Sequence, residues 1–166
     1  GWRVRKKAIA NCWTVAVSAD GKEIATGTIE GLVQIWSAKN GQELDRFEIK
    51  DQWIDAIAFS PDGRELLVGS NEEANVWSRK TKEMIFHLGG HEHVVTAVAF
   101  SPDGKWMLTG CLDSAARLSS HQTGLETRRF ELAGHRIYCA GFSPDGRYIL
   151  TGGSDGMVRL WPCGKD

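Results

Sequence analysis

The chain has 166 residues, with 20 basic and 21 acidic side chains, a formal net charge of −1 and four cysteines. A near-neutral chain has no electrostatic attraction to nucleic acid or to an anionic membrane, so we expect neither as a partner. No apolar run reaches membrane-spanning length, and Cys12, Cys111, Cys139 and Cys163 lack CxxC spacing. We therefore expect a single globular domain with reduced thiols and a cytoplasmic location.

In chain order, a basic segment at residues 2–9 comes first, followed by a β-rich run at 12–17 and a turn at 18–21. Related turns, each Ser-Pro-Asp-Gly, return at 60–63, 101–104 and 143–146, so the four turns are spaced by 42, 41 and 42 residues. Pro presets φ, Ser can hydrogen-bond forward and Gly accepts the closing geometry, which predicts a type I turn. A second column keeps this period, with Trp36, Trp77 and Trp161 in three copies and Ser119 in the other. Two columns with one period indicate four copies of a single unit.

The clearest copy of the unit spans residues 141–161, which read as three antiparallel strands with Asp155-Gly156 as the second turn. Segments 43–49, 83–88 and 125–132 add a fourth, outermost strand to the first three copies, and residues 2–9 match these segments in position. The chain therefore begins with an outer strand and ends after a third strand. Neither end is complete alone, but together the two ends make one unit.

These features resemble the WD-repeat family of β-propellers. The resemblance rests on the Ser-Pro-Asp-Gly turns, the pairs Gly90-His91 and Gly134-His135, the Asp155-Gly156 turn and the tryptophan column. The chain departs from the family pattern because no Asp follows these tryptophans. The resemblance implies an all-β propeller with four blades of four antiparallel strands. The expected blades are residues 10–49, 50–90, 91–132 and 133–166, with 1–9 as the outer strand of the last blade.

The family closes its ring by pairing the N-terminal strand with the last blade, and closure removes an open strand edge. Three arrangements follow from four repeats: a four-bladed ring in one chain, an eight-bladed ring from two chains, or a fragment of a longer propeller. A ring of four would need a much larger angle between neighbouring blades. We therefore expect a homodimer that forms one eight-bladed ring, with residues 2–9 beside 157–161.

The resemblance also implies a buried network of His, Ser or Thr, Asp and Trp within a blade. In the fourth copy these residues are His135, Thr151, Asp155 and Trp161, whose role we expect to be structural, although three of them are also types found in catalytic triads. The third copy offers Thr109 and Asp113, with His91 or His93. The first two copies lack the histidine, so we expect apolar packing to hold them.

Three histidines, His87, His91 and His93, lie close enough in sequence to suggest a metal site. No cysteine or carboxylate stands at a fixed spacing to complete four ligands, and His91 has a competing structural role. We therefore expect no metal and no other cofactor.

The favoured function is a non-catalytic scaffold that binds a protein or peptide. Its expected binding surface is the narrow face of the ring, built from the loops that enter each inner strand and the turns between second and third strands. Repeat alignment places large aromatic and arginine side chains there, the types enriched at interaction hot spots. The candidate partner-binding residues are Trp13, Trp53, Asp55, Thr96, Arg136 and Tyr138. The alternative is a propeller that binds a small ligand or hydrolyses a substrate at its central channel, where Asp55 is the ionised inner-strand residue.

Overall fold

The computed structural model describes residues 11–164. They form fifteen β-strands in four antiparallel sheets, and in each sheet the strands pair in chain order. The first sheet contains β1 (Cys12–Val17), β2 (Glu23–Thr28), β3 (Leu32–Ser37) and β4 (Glu43–Glu48), and the second contains β5 (Ala56–Phe59), β6 (Glu65–Ser70), β7 (Glu73–Ser78) and β8 (Met84–Leu88). The third contains β9 (Val95–Phe100), β10 (Trp106–Cys111), β11 (Ala115–Ser120) and β12 (Glu126–Glu131), and the fourth contains β13 (Ile137–Phe142), β14 (Tyr148–Gly153) and β15 (Val158–Pro162).

The all-β architecture with one sheet for each sequence repeat is confirmed. The pairing expected for residues 2–9 lies outside the described residues, so the outer strand of the fourth sheet stays a prediction. Among the described residues, no helix is long and apolar enough to cross a membrane.

One side-chain arrangement closes the first turn of every sheet. In the first sheet, the hydroxyl of Ser18 accepts the N–H of Glu23 at 2.9 Å and donates to Asp20 Oδ1 at 2.8 Å. Asp20 also accepts the N–H of Lys22 at 3.0 Å, and Gly21 has a φ of 70°, a left-handed conformation that glycine adopts without steric cost. The same bonds recur around Ser60, Ser101 and Ser143. The turns predicted from the repeated motif are therefore confirmed.

Neighbouring sheets pack face to face, and their inner strands β1, β5, β9 and β13 are adjacent in that order. We call the face that packs on the following sheet the forward face and the opposite one the back face. At the first contact, Val33 and Ile35 of the forward face pack against Ile57 and Phe59 of the back face. Equivalent apolar contacts join the second sheet to the third and the third to the fourth.

The two end faces are exposed although they carry the same kinds of residue. Val15 and Val17, on the back face of the first sheet, are 63% and 59% exposed. Val158 and Leu160, on the forward face of the fourth sheet, are 74% and 59% exposed. In the described residues, the end faces therefore do not cover each other as they would in a closed ring of four.

Candidate functional site

The end of the molecule expected to form the narrow face takes its shape from irregularities in the inner strands. Pairing in the first sheet passes from Cys12 to Thr14, so Trp13 is left out of the ladder. Thr96 and Tyr138 are skipped in the same way in the third and fourth sheets. An extra residue of this kind bends a strand and re-aims its side chain. The bulges explain why this sequence column leaves the alternating pattern of the inner strands.

The six residues predicted for partner binding lie in different environments. Trp13, Trp53 and Tyr138 are 67%, 57% and 55% exposed, and Arg136 is also exposed. These four side chains are accessible to a partner. Large exposed aromatic side chains are uncommon on a protein surface, which makes this end of the molecule the candidate site.

The other two residues of the set are half-buried. The Thr96 hydroxyl donates to the carbonyl of Ile137 at 2.7 Å and so joins the third sheet to the fourth. Asp55 has one carboxylate oxygen that is buried without a hydrogen-bond partner in the described part of the chain, and burial raises the pKa of its carboxyl. Thr96 thus has a structural contact of its own, whereas Asp55 keeps an unused acceptor.

An acidic cleft of about 480 Å³ opens on this face between the second and third sheets. Its carboxylates are Asp51, Glu72 and Glu73, and its lining residues include no lysine or arginine. Glu73 accepts the side-chain amide of Gln52 at 3.1 Å, while Asp51 and Glu72 are exposed. The remaining lining residues are Ser70, Asn71, His93 and Val94. Sequence reasoning missed the cleft because its walls come from loops of two different repeats.

The third sheet contains a buried polar network. His91 Nδ1 lies 2.8 Å from Asp113 Oδ2, and His91 Nε2 lies 2.7 Å from Thr109 Oγ1. Because a carboxylate only accepts, Nδ1 donates to Asp113 and the Thr109 hydroxyl donates to Nε2 of a neutral imidazole. Burial lowers the pKa of His91, against the opposing effect of Asp113. His91 therefore has the network position, whereas His93 is exposed.

The aspartate of this network stays ionised. Burial raises the pKa of Asp113, but hydrogen bonds from His91 and from the N–H groups of Ala115 and Glu92 outweigh it and lower the pKa overall. A buried carboxylate with several donors satisfies its lone pairs and fixes the loop that supplies them.

In the fourth sheet, the indole N–H of Trp161 donates to Thr151 Oγ1 at 2.9 Å. Asp155 accepts the guanidinium of Arg159 at 2.5 Å and the N–H of Met157 at 3.0 Å. The bond from Arg159 lowers the pKa of Asp155 to about 2. His135 is exposed. Of the four residues expected to form a network, Thr151 and Trp161 are joined directly, and Asp155 is paired with Arg159.

The first sheet has the same Thr–Trp bond, from Trp36 Nε1 to Thr26 Oγ1 at 2.9 Å. Sequence reasoning missed this bond because it looked for a histidine, although the Thr and Trp columns both signalled it. In the second sheet Val68 occupies the threonine position, and the buried indole N–H of Trp77 has no acceptor among the described residues. The second sheet therefore depends more on apolar packing.

Two of the three histidines considered for a metal make hydrogen bonds within the chain. His87 Nδ1 lies 2.9 Å from Asn75 Oδ1, and both ring nitrogens of His91 are hydrogen-bonded. Ligand atoms of His91, Cys111 and Asp113 lie within 4.8 Å of one another. Burial raises the pKa of the Cys111 thiol to about 11, which disfavours the thiolate that a metal needs.

Comparison with known proteins gives matches along nearly the whole chain. The WD40 family model (WD domain, G-beta repeat) matches residues 6–37, 41–78, 82–118 and 126–162. Over 52 residues the chain is 36% identical to nuclear distribution protein PAC1 of Mycosarcoma maydis. The matched segment is 31% of this chain and 12% of that protein. Over 55 residues the chain is 38% identical to eukaryotic translation initiation factor 3 subunit I of Phaeosphaeria nodorum. This second segment is 33% of the chain and 16% of that protein.

The chain thus matches only a small part of the length of these curated relatives. The family model, in contrast, matches one segment for each of the four sheets. The chain therefore belongs to the WD40 repeat family.

Proposed function

We propose that the chain is a non-catalytic scaffold whose narrow face binds a peptide segment of a partner protein, and that this segment carries basic side chains. Membership of the WD40 family indicates an interaction scaffold, and one relative is named as a subunit of a larger factor. The observation that carries the finer proposal is the exposure of Trp53, which directly follows Gln52 of the acidic cleft in the chain. An aromatic anchor near a cleft lined by carboxylates and by no lysine or arginine suits a segment with both an apolar and a basic side chain.

The charge of the cleft supports a basic partner. Asp51 and Glu72 are exposed, and Glu73 accepts hydrogen bonds from the side-chain amides of Gln52 and Asn75 and lies 3.9 Å from His87 Nδ1. A lysine or arginine placed there would be attracted by three carboxylates, whereas an acidic segment would be repelled.

We further propose that two copies of the chain form one eight-bladed ring. The exposed back face of the first sheet matches the back faces that are buried inside the chain, and the exposed forward face of the fourth sheet matches the buried forward faces. Each end face therefore has a complementary end face on a second copy. Residues 1–9 of one copy would complete the fourth sheet of the other, and two-fold symmetry would use the same contact twice.

A peptide array tests the binding proposal. Short basic, neutral and acidic peptides, each with and without an aromatic residue, would be probed with the purified chain. We expect binding to basic aromatic peptides, weakened about tenfold by Trp53→Ala or Glu72→Lys. Glu83→Lys is the matched control, because Glu83 is an exposed glutamate at the opposite end of the sheets. Equal loss with Glu83→Lys, or a preference for acidic peptides, would reject the proposal.

A further inference from the structure

A column of glycines on the second strand of each sheet lies against side chains of the inner strands and of the loops that enter them. Gly27, Gly69, Gly110 and Gly152 each stand nine residues after the serine of the first turn. An ideal Cβ on Gly27 would lie 2.4 Å from Cγ2 of Ile54 in the following sheet and 2.8 Å from Cγ2 of Thr14 in its own sheet. Two side chains, one from each sheet, therefore meet over this glycine.

The same arrangement recurs between the third and fourth sheets. An ideal Cβ on Gly110 would lie 3.0 Å from Cγ2 of Ile137 in the following sheet and 3.5 Å from Cβ of Ala97 in its own sheet. Ile54 and Ile137 both stand six residues before their turn serine, and Thr14 and Ala97 both stand four residues before theirs. Side chains of these two columns thus meet where the first sheet packs on the second and where the third packs on the fourth, whereas over Gly69 the nearest atoms belong to Val95 and Val98 of the following sheet.

At the open end of the chain, the glycine of this column is Gly152. The residue four positions before the turn serine is Cys139, and its Sγ would lie 2.6 Å from an ideal Cβ on Gly152. Among the described residues this is the single contact within 4 Å, because no following sheet is present. In the first sheet, the residue six positions before the turn serine is Cys12. Both cysteines are exposed.

We propose that Cys12 of one copy meets Cys139 of the other over Gly152 and that the two thiols form a redox-sensitive bridge across the ring contact. The inference rests on the proposed two-chain ring. A disulfide requires Cβ atoms about 3.5 to 4.5 Å apart, and two side chains that meet over one glycine are placed to approach each other closely. Two-fold symmetry places the pair at both contacts, so the dimer would have two such bridges.

The chemistry requires an external disulfide oxidant such as oxidised glutathione. The Cys12 thiol loses its proton and its sulfur attacks one glutathione sulfur, which breaks the glutathione disulfide and releases one reduced glutathione. The Cys139 thiolate then attacks the mixed disulfide, forms the Cys12–Cys139 bond and releases the second glutathione. Two protein thiols are oxidised and one oxidised glutathione is reduced to two thiols. Under reducing conditions the two thiols would pack against each other as small apolar groups.

The other two cysteines do not share this position. Cys111 is buried, and Cys163 is half-buried with a pKa that burial raises. Thiols of this kind react slowly with disulfides because little thiolate is present. Selectivity for Cys12 and Cys139 is therefore expected from exposure as well as from position.

The test is oxidation of the full chain with oxidised glutathione, followed by non-reducing electrophoresis and peptide mass mapping. We expect a covalent dimer whose linked peptides contain Cys12 and Cys139. Cys12→Ser and Cys139→Ser alone should each abolish it, and Cys163→Ser, the control, should retain it. An equimolar mixture of Cys12→Ser and Cys139→Ser chains should restore one bridge in each mixed dimer, because one of its two contacts keeps both thiols.

The outcomes separate the bridge from the ring. A dimer by light scattering that forms no Cys12–Cys139 link would overturn the bridge and leave the ring in place. A monomer would overturn both. A Cys12–Cys12 link, a Cys139–Cys139 link or a bridge within one chain would also contradict the proposal, since each requires a different contact between the end faces.

Discussion

His91 joins the loop before β9 to the turn between β10 and β11 through Asp113, and to strand β10 through Thr109. Replacing it with Ala leaves both partners buried without their bond, so we expect His91→Ala to lower the free energy of unfolding by about 1 to 3 kcal/mol. His93→Ala is the matched control, since His93 is exposed and its replacement should cost less than about 0.5 kcal/mol. Urea unfolding of both variants measures the difference. The opposite order would show that His93 is the structural histidine.

The stability that His91 provides should also depend on pH. Burial lowers the pKa of His91 in the folded chain, so near its ordinary pKa of 6.5 the unfolded chain binds a proton that the folded chain does not. Stability from this residue is therefore present above about pH 6.5 and is lost as the pH falls. Between about pH 7.5 and 5.5 we expect the parent to lose more stability than His91→Ala does. Equal losses in the two proteins would contradict a neutral, buried His91.

At this scale the sequence could predict what lies within one repeat. The Ser–Asp–Gly turns were predictable because their bonds join residues at most five positions apart. The choice between His91 and His93 was not, because it depends on the path of the loop that enters β9. The pairing of Asp155 with Arg159 was also missed, since Arg159 lies on the next strand and competes for the same carboxylate.

At the scale of strands, the repeat pattern predicts inner strands at residues 12–17, 54–59, 95–100 and 137–142, and β1, β9 and β13 have these bounds. The second inner strand begins at Ala56 instead of residue 54, and the N–H of Ile54 donates to the carbonyl of Thr28 in the preceding sheet. The acidic cleft could not be predicted from the repeats. It arises where loops of two repeats face each other, and an alignment of repeats compares their residues without placing them side by side.

The end faces give a prediction at the same scale. Leu150 is 37% exposed on the forward face of the fourth sheet, whereas Leu108, its equivalent in the third sheet, is fully buried. In the proposed ring Leu150 is buried too, so we expect Leu150→Asp to prevent dimer formation through the cost of burying a charge. Sedimentation velocity measures the change. Leu125→Asp is the control, because Leu125 is 68% exposed in a turn away from both end faces. A dimer that survives Leu150→Asp would place its contact elsewhere.

At the scale of the whole molecule, charged side chains that pair between neighbouring sheets have uncharged equivalents at the proposed ring contact. Arg79 of the second sheet lies 2.8 Å from Glu23 of the first, and His121 of the third lies 2.5 Å from Glu65 of the second. The equivalent positions at the proposed ring contact are Tyr148 and Ala38. Both are uncharged, so closing the ring would bury no unpaired charge at this point.

The repeats and the offset between the chain ends predicted a propeller, but they left three ways of closing it. In residues 11–164, the two end faces do not cover each other, which disfavours a four-bladed ring within one chain. The choice between a two-chain ring and a fragment of a longer propeller depends on contacts between chains, and the sequence pattern of a single chain does not give their energy. The homodimer is accordingly a proposal based on complementary end faces.

The solution mass of the purified, reduced chain tests this account most directly. Light scattering coupled to size exclusion, at several protein concentrations, would give the mass without assuming a shape. The two-chain ring requires twice the mass of the chain, and mass of a single chain for Leu150→Asp. A parent chain that remains a well-behaved monomer at every concentration would contradict the ring.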